Sequence, residues 1–301
     1  MAQSPEPAAG VLYLVGTPIG NLGDLSPRAR QVLAGADRIA CEDTRRSGLL
    51  LHQLGLRQRE PEADGAPRAA RLVSFHQHNQ SSRIPELLAA LTAGEAVAVI
   101  SDAGLPGISD PGEALVAAAR AAGHPVICVP GPSAVTTALV SSGLPTGRFC
   151  FEGFLPAKAS QRRARLQELA GEERTLVLFE APHRLLELLA DLLAELGDRP
   201  LQVARELTKR HEEQVGPTVS AALEHFRATP PQGECTLVLG GAPATPAVAS
   251  WDVVQLRAEL EALVASGLSS KDAARSLAER SGHSRRELYA LLHAPVQPSG
   301  G

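Results

Sequence analysis

Aromatic residues are scarce in this 301-residue chain, at 3% of the total, with one Trp, two Tyr and six Phe. So few rings leave little material for the base-stacking platforms that single-strand nucleic-acid binders use. Long apolar runs are missing too, since none approaches the roughly 18 residues that span a bilayer. The amino terminus has no basic stretch ahead of its short apolar segment, so we expect neither a membrane span nor a signal peptide.

Cysteine is also rare, with four residues far apart along the chain: Cys41, Cys128, Cys150 and Cys235. Each lies within an apolar stretch and no two form a C-x-x-C pair. This favours buried reduced thiols over a disulfide framework or a metal clip. We therefore predict a cytoplasmic protein without a metal site.

Neither sign of charge dominates, because the formal net charge is only -4 at pH 7. That total argues against a whole-surface electrostatic attraction to nucleic acid, although it allows a local basic patch. Hydrophobic residues at 44% and charged residues at 21% are typical of soluble globular proteins. The length suggests two domains, with room for a small appendage.

Short Val- and Ile-rich runs alternate with helical stretches in the first half of the chain. The strand candidates are residues 11–15, 38–42, 71–75, 96–101 and 126–130. Ser26 followed by Pro27 predicts the start of the first helix, and Gly35 its end. The alternation predicts an α/β domain with a largely parallel sheet over residues 11–144, after a disordered N-terminus of residues 1–10.

The second half continues with further strands and helices. Its strand candidates are residues 148–154, 175–180, 201–206 and 235–240, with helices near 160–170, 183–195 and 218–226. If residues 211–216 form a return strand, this second α/β domain, residues 145–240, has a mixed sheet. A Pro/Ala linker over residues 241–250 leads to a helical module over residues 251–301. The charged, Pro-containing residues 57–71 predict an exposed loop.

Three strand ends run into glycine-rich turns that each open a helix, at residues 16–29, 96–115 and 127–139. The first has neither the G-x-G-x-x-G spacing of a dinucleotide fold nor that of a phosphate loop, and a turn without a ligand is the alternative for each. Asp110 and Ser133 are predicted helix caps. Ligands of open α/β sheets bind beyond the carboxyl ends of strands, so three such turns favour a real cleft.

Longer motifs carry a family resemblance over most of residues 11–240. In order, the runs are LVGTPIGNLGDLSPRA, CEDTRRSGLLL, FHQHNQ, ISDAGLPGISDPG, VPGPSA, FEGFLP, FEAPHRL and ARELTKRHEE. Together they resemble the bacterial ribosomal RNA small-subunit methyltransferase I family, whose fold is of the tetrapyrrole methylase type. The resemblance implies two α/β domains with S-adenosylmethionine bound in the cleft between them. It also implies 2′-O-methylation of a cytidine in small-subunit ribosomal RNA, and a homodimer.

The resemblance also assigns cofactor contacts, made mainly by backbone groups. In the first domain they are Pro18, Ser101, Asp102, Ala103, Gly104, Ile108 and Ser133. In the second domain they are Glu152, Gly153 and Phe154, with Phe151 beside them. For Phe151 and Phe154, a place in the hydrophobic core is the competing interpretation. Asp102 stands out because it directly follows a strand and nothing local requires a carboxylate there.

Candidate substrate contacts come from three polar segments. In CEDTRR, Asp43 is placed near the ribose hydroxyl and assigned to catalysis with Arg45, whereas Glu42 and Arg46 are assigned to the RNA. His76, Gln77, His78 and Asn79 follow the third strand, and the two histidines are assigned to the RNA. The basic strip 158–167 is either a solvated face or a phosphate track. Its candidate RNA contacts are Lys158, Arg162 and Arg163, with Arg165 beside them. No residue stands out as a general base.

Other functions fit parts of the pattern. The same fold hosts methyltransferases that act on a tetrapyrrole or a protein, so the acceptor is not fixed by fold alone. Glu42, about 20 residues after the first glycine turn, allows a nicotinamide-dependent oxidoreductase, but the glycine spacing is wrong for one. A pure RNA-binding module is disfavoured by the low aromatic content and the acidic total.

The carboxyl-terminal module is locally basic. Its predicted helix caps are Asp252, Ser270 and Ser284, with a turn near Gly282. The basic residues outnumber the acidic ones around this turn: Lys271, Arg275, Arg280, Arg285 and Arg286 against Asp272, Glu279 and Glu287. The spacing resembles a helix-turn-helix pair, which either docks on the catalytic body or binds RNA in a salt-sensitive manner.

Overall fold

A computed structural model describes residues 7–56, 70–243 and 251–294. The first sheet contains β1 (Leu12–Val15), β2 (Arg38–Cys41), β3 (Arg71–Ser74), β4 (Val97–Ile100) and β5 (Val126–Val129). All strand pairs are parallel, in the order β3-β2-β4-β1-β5. The parallel sheet confirms the predicted α/β class.

Helices cover both faces of this sheet. They are α1 (Pro27–Gly35), α2 (Thr44–Gln53), α3 (Gln80–Thr92) and α4 (Glu113–Ala121), whereas α5 (Ala134–Ser141) follows β5 and packs on the second sheet. Val97 and Val99 of β4 pack with α3 and α4 on one face, whereas Ala98 and Ile100 pack with α1 and α2 on the other. Burial on both faces explains why the strand is apolar at every position.

The predicted helix caps have mixed outcomes. Ser26 caps α1 as predicted, since its Oγ accepts a hydrogen bond from the Ala29 N–H at 3.0 Å, and α1 ends at Gly35. Asp110 is wrong as a cap, because α4 begins only at Glu113. Ser133 directly precedes α5, but its side chain accepts no capping hydrogen bond within the described part of the chain.

The second sheet is mixed. Its strands are β6 (Phe149–Phe154), β7 (Thr175–Glu180), β8 (Leu201–Arg205), β9 (Glu213–Val215) and β10 (Cys235–Leu239), in the order β6-β7-β10-β8-β9. Only β6 and β7 pair in parallel, and β9 returns antiparallel to β8. Its helices are α6 (Ala159–Glu168), α7 (Pro182–Leu196) and α8 (Val219–Ala228).

The two faces of the second sheet have different neighbours. Leu176 and Leu178 of β7 belong to a core that includes residues of α6, α7 and α8. Val177, on the other face, packs in a core with Val135 and Leu139 of α5, so the second sheet shares this core with a helix from the first half of the chain. This packing brings the carboxyl ends of β4 and β7 to the same region of the molecule. The two sheets belong to one compact unit that ends at Gly241.

A separate unit begins at Ala242 and contains α9 (Val253–Ala265), α10 (Ser270–Ser281) and α11 (Arg285–His293). All three helices contribute to one core that includes Leu260, Leu277 and Leu288. Asp252 and Ser284 both form capping boxes, as their predicted capping role requires. The cap of α10 is Ser269 rather than Ser270, since its Oγ accepts from the Asp272 N–H.

Several predicted segments lie partly outside the described residues. These are residues 1–6 of the predicted disordered terminus, 57–69 of the predicted loop, and 244–250 of the predicted linker. Among the helices that are described, none is long and apolar enough to cross a membrane.

Candidate active site

A cleft of about 310 Å³ lies between the two sheets. Its walls come from strand ends and turns of both sheets: Ile19, Ser101, Asp102, Ala103, Ile108, Ser109, Asp110 and Ala134 on one side, with Phe154, Phe179, Glu180, Ala181, Pro182, Glu234, Cys235 and Thr236 on the other. The volume falls within the range of small-molecule sites, which begins near 300 Å³.

The three predicted glycine turns converge beside this cleft. A Cβ atom on Gly16 would lie 2.7 Å from the Gly131 Cα, so only glycine lets the first and third turns approach so closely. Thr17 and Gly104 exchange backbone hydrogen bonds of 2.9 and 3.2 Å, which join the first turn to the second. Gly104 has φ +88°, a conformation that favours glycine. The turns therefore form one cradle.

Asp102 links this cradle to the CEDTRR motif. The Arg46 Nη1 lies 3.2 Å from the Asp102 Oδ2, whereas the Asp102 Oδ1 is buried and has no hydrogen-bond partner among the described residues. Nearby, burial raises the pKa of Asp110, an effect opposed by a hydrogen bond from Ser101. Burial also raises the pKa of Glu42, and the charges of Asp110 and Asp102 add to it. The cleft is therefore rich in negative charge.

The predicted cofactor residues of the first domain and Phe154 differ in whether they line the cleft or lie next to a residue that does. Ser101, Asp102, Ala103, Ile108 and Phe154 all line the cleft. Pro18, Gly104 and Ser133 lie next to lining residues along the chain or in the cradle.

Glu152 and Gly153 sit at a bulge of β6. A Cβ atom on Gly153 would lie 3.2 Å from the Ser109 Oγ, so this glycine permits close approach to the cleft wall. The Glu152 side chain is engaged within the second domain, because its Oε2 accepts a 2.6 Å hydrogen bond from Arg165 on α6. Phe151 packs edge-on against Phe179 with ring centroids 5.0 Å apart, and it belongs with the shared core.

Asp43 has a structural role, as the cap of a helix, that its sequence context did not reveal. Its Oδ1 accepts hydrogen bonds from the N–H groups of Arg45 at 2.8 Å and Arg46 at 3.4 Å, so it caps α2. The bond from the Arg45 backbone holds the pKa of this carboxyl below its usual range. A carboxylate whose charged form is stabilised in this way is a weaker base. The neighbouring Arg45 side chain is 91% exposed.

The histidine segment lies beside the acidic residues. The His76 and His78 rings meet edge-on with centroids 5.9 Å apart. Gln77 lines a hollow together with Glu42 and Asp110, adjacent to the cleft wall. Polar groups that follow β2 and β3 therefore lie at the same edge of the sheet.

The basic strip on α6 is mostly engaged within the protein. Arg162 is wrong as an RNA contact, because it is 2% exposed and its Nε donates to the Asp191 Oδ2 at 2.7 Å. Arg163 also bonds to Asp191, at 2.8 Å, but its side chain is 56% exposed. Lys158 is exposed and lacks an ion-pair partner within the described ranges. Only Lys158 and Arg163 remain as surface cations for an RNA.

Sequence reasoning missed the wall supplied by the end of β7 and the start of β10. The FEAPHRL run was recognised, but none of its residues was assigned to the site. Phe179 and Thr236 lie on the face of the second sheet that looks toward α5, as the alternation with Val177 and Val238 shows. Pairing of β7 with β10 brings them together, and that pairing is not visible in a single sequence.

The residues present fit S-adenosylmethionine. A cation is complemented by Asp102 and Asp110, which both line the cleft, and the orphaned Asp102 Oδ1 can accept a hydrogen bond from a ligand. Ile108 and Phe154 offer apolar surface for a purine, since both are exposed hydrophobic residues on the cleft wall. The glycine cradle allows close approach of backbone groups.

Comparisons with known proteins agree with this architecture. The family model described as Tetrapyrrole (Corrin/Porphyrin) Methylases matches residues 11–223. Two solved structures share the fold: a cobalt precorrin-4 methyltransferase, with TM-score 0.55 and 17% identity over 77% of this chain and 95% of that one, and a diphthine synthase, with TM-score 0.55 and 15% identity over 76% of this chain and 90% of that one.

Curated relatives are more similar and share one name, ribosomal RNA small subunit methyltransferase I. The protein from a Synechocystis species is 49% identical, over 94% of this chain and 97% of its own length. The protein from Mycobacterium tuberculosis is 44% identical, over 98% of both chains. The protein from Escherichia coli O157:H7 is 43% identical, over 89% of this chain and 92% of its own length.

Proposed function

Because this chain belongs to the ribosomal RNA small subunit methyltransferase I family within the tetrapyrrole methylases, we propose that it methylates the ribose 2′-hydroxyl of a cytidine in small-subunit ribosomal RNA. The methyl donor is S-adenosylmethionine. The observation that carries the proposal is the acidic, glycine-cradled cleft, which joins the cofactor segment at Asp102 to the CEDTRR segment at Arg46.

The cleft residues divide into two groups by chemistry. Ser101, Asp102 and Ala103 would hold the polar part of S-adenosylmethionine, with Ile108 and Phe154 against its purine. When bound, this cofactor supplies an electrophilic methyl group. Asp102 stabilises the cationic form of the ligand, because opposite charges attract more strongly in a partly buried site than in water.

The protein's main contribution to the reaction is positioning. A ribose hydroxyl is a weak acid, but a well-oriented pair of reactants gains much of the rate enhancement from proximity alone. Asp43 is occupied as the cap of α2, so we assign it to shaping the CEDTRR segment rather than to removing a proton. Arg45, exposed on the first turn of the same helix, is placed to contact an RNA phosphate.

The RNA is bound by exposed cations and polar groups around the cleft. Arg45, His78, Lys158 and Arg163 supply this surface on the catalytic unit. Phosphate contacts of this kind give affinity and orientation, and they make binding depend on salt.

The helical unit adds a second RNA contact. Arg275 is paired with Asp272 and Arg280 with Glu259. Lys271, Arg285 and Arg286 are exposed and have no ion-pair partner in the described ranges, so their charge is free for RNA. The unit has a core contributed by all three helices, and its unpaired cations are what support an RNA-binding arm.

We also propose that the enzyme is a cytoplasmic homodimer that acts on the ribosomal RNA within the assembled small subunit. The family resemblance is the support for this assembly state and location. Analytical ultracentrifugation of the full chain tests the dimer directly, since a single monomeric species would contradict it.

An acceptor assay tests the proposed function. Purified protein is incubated with isotopically labelled S-adenosylmethionine in three separate reactions. Each contains one acceptor: small ribosomal subunits from cells that lack this enzyme, uroporphyrinogen, or cell protein. Label should enter the subunits' RNA alone. Label in the tetrapyrrole or the protein fraction would overturn the RNA assignment, and a thermal shift with NAD but not with S-adenosylmethionine would overturn the methyltransferase itself.

A further inference from the structure

The ARELTKRHEE motif forms a turn that the proposed reaction has not yet used. The turn covers residues 206–212, between β8 and β9. Glu206 has φ +53° and Thr208 has φ +66°, although neither is a glycine. Such conformations cost free energy and concentrate at binding and catalytic sites. The Thr208 Oγ1 is also buried without a hydrogen-bond partner among the residues described.

Hydrogen bonds hold this turn in one shape. The Thr208 N–H donates to the Glu212 Oε2 at 2.7 Å, and the Lys209 N–H donates to the Glu206 carbonyl at 3.0 Å. The Lys209 Nζ bonds to the Glu206 Oε1 at 2.9 Å. Because the conformation is fixed from both ends, the side chains at its tip have a defined location.

Two independent contacts place the turn at the rim of the cleft. On one side, the Lys209 Nζ lies 3.4 Å from the Glu234 Oε2, and Glu234 lines the cleft. On the other side, a Cβ atom on Gly20 would collide with the Lys209 Cγ, and Gly20 follows Ile19, another lining residue. The turn therefore packs against the first glycine turn across the cleft entrance.

The tip of the turn presents free charge and hydrogen-bonding capacity. Arg210 and His211 are exposed, and neither has an ion pair or hydrogen bond to any other described residue. Lys209, by contrast, is balanced by Glu206 and Glu234. Because Lys209 is paired within the turn and with Glu234, Arg210 is the cation of this turn that is left without an acidic partner among the described residues.

We propose that the 206–212 turn is an RNA-binding element of the second domain, in which Arg210 contacts a phosphodiester of the strand entering the cleft and His211 supports it. This rests on the proposed function, because it names a further substrate contact of the same site. Together with Arg45 on α2, it would hold the RNA backbone from both domains, which aligns the nucleotide at the cleft between them.

The test compares Arg210→Ala, Arg210→Lys and a control, Arg227→Ala, in the full chain. Arg227 is an exposed, unpaired arginine on α8, whose neighbour Phe226 packs in the core on the opposite face of the second sheet. The measurements are binding to unmethylated small subunits at several salt concentrations, and S-adenosylhomocysteine binding by calorimetry.

Arg210→Ala should weaken subunit binding about fivefold at 0.1 M salt and reduce the salt slope by roughly 0.7, the value for one phosphate contact of a single strand. Arg210→Lys should restore most of both, since a phosphate accepts a point charge. Cofactor binding should not change. The proposal is overturned if Arg210→Ala behaves like Arg227→Ala, or if it loses S-adenosylhomocysteine binding as well. Wild-type protein that does not bind or methylate subunits would instead contradict the proposed function.

Discussion

The guanidinium of Arg46 and the carboxylate of Asp102 lie 3.2 Å apart, although 56 residues separate them in the chain. This pair joins the segment assigned to RNA with the segment assigned to the cofactor. Arg46 is 75% exposed and Asp102 is 23% exposed, so the pair has one partner at the surface and one in the cleft wall. A change in either segment can thus be transmitted to the other through a single contact.

Asp102→Asn should weaken binding of S-adenosylhomocysteine, because the orphaned Oδ1 would lose its charge as an acceptor for the ligand. Hydrogen bonds to charged groups contribute about 1.5–3 kcal/mol, which corresponds to roughly 10- to 100-fold in affinity. Calorimetric titration with S-adenosylhomocysteine measures this loss of affinity. Arg46→Ala is the matched control and should leave cofactor affinity within about threefold, the scale of an exposed ion pair. Equal effects of the two changes would remove Asp102 from the cofactor site.

The Asp43 cap gives a test that separates structure from catalysis. Asp43→Asn keeps a side-chain oxygen for capping and should retain both the melting temperature and methyl transfer. Asp43→Ala removes the cap and should lower the melting temperature by about 2–4 °C. If Asp43→Asn abolishes methyl transfer while the melting temperature is unchanged, then Asp43 is catalytic, as its sequence context first suggested.

The raised pKa values in the cleft predict a pH-dependent preference for the charged cofactor. Burial raises the pKa of Asp110 and of Glu180, which both line the cleft, so both lose their negative charge at a higher pH than ordinary carboxyls. As the pH falls toward about 5, the cleft should attract the S-adenosylmethionine sulfonium less, whereas S-adenosylhomocysteine lacks that charge. The affinity ratio between the two ligands should therefore fall by about two- to fivefold from pH 7.5 to 5. A ratio that stays constant with pH would show that these acids do not face the sulfonium.

Arg162 should matter for stability and not for RNA. Arg162→Ala would remove one of the two arginines that pair with the buried Asp191, and the loss of a hydrogen bond to a charged group costs about 1.5–3 kcal/mol. Urea unfolding should show a large loss of that order, with an unchanged salt slope for subunit binding. Lys158→Ala should give the reverse: near-normal stability and a shallower slope. A large effect of Arg162→Ala on the slope would restore the phosphate-track interpretation.

The helical unit offers its own matched pair of variants. Replacing Lys271, Arg285 and Arg286 by Ala should weaken subunit binding and flatten its salt dependence, because these charges are unpaired. Replacing Arg275 and Arg280, which have acidic partners, should do less. Cofactor affinity serves as the internal control in both. If both sets of variants bind subunits with the same affinity and salt dependence as the wild-type protein, the unit does not bind RNA.

The fold was predictable because it depends on local patterns. Short β-branched runs separated by amphipathic helices specify a parallel sheet, and Ser26 with Pro27 marks a helix start by chemistry that acts within a few residues. The errors occur where distant residues decide. Asp110 resembles a cap, yet its chain enters the cleft and the helix starts only at Glu113. Arg162 resembles a surface cation, and only the packing of α6 on α7 reveals Asp191 beside it.

The site was predictable in its first domain and incomplete in its second. Glycines and Asp102 follow strands of a parallel sheet, whose carboxyl ends meet at one edge by rule. Phe179 and Thr236 become neighbours only through an antiparallel pairing of strands more than fifty residues apart, and a single sequence does not specify such a pairing.

The most direct test of the central claim is nucleoside mass spectrometry of small-subunit RNA after incubation with the enzyme and trideuteromethyl S-adenosylmethionine. We expect one labelled nucleoside, a cytidine whose trideuteromethyl group remains with the ribose fragment after the glycosidic bond is broken. A label that stays with the base, or a labelled nucleoside other than cytidine, would contradict it.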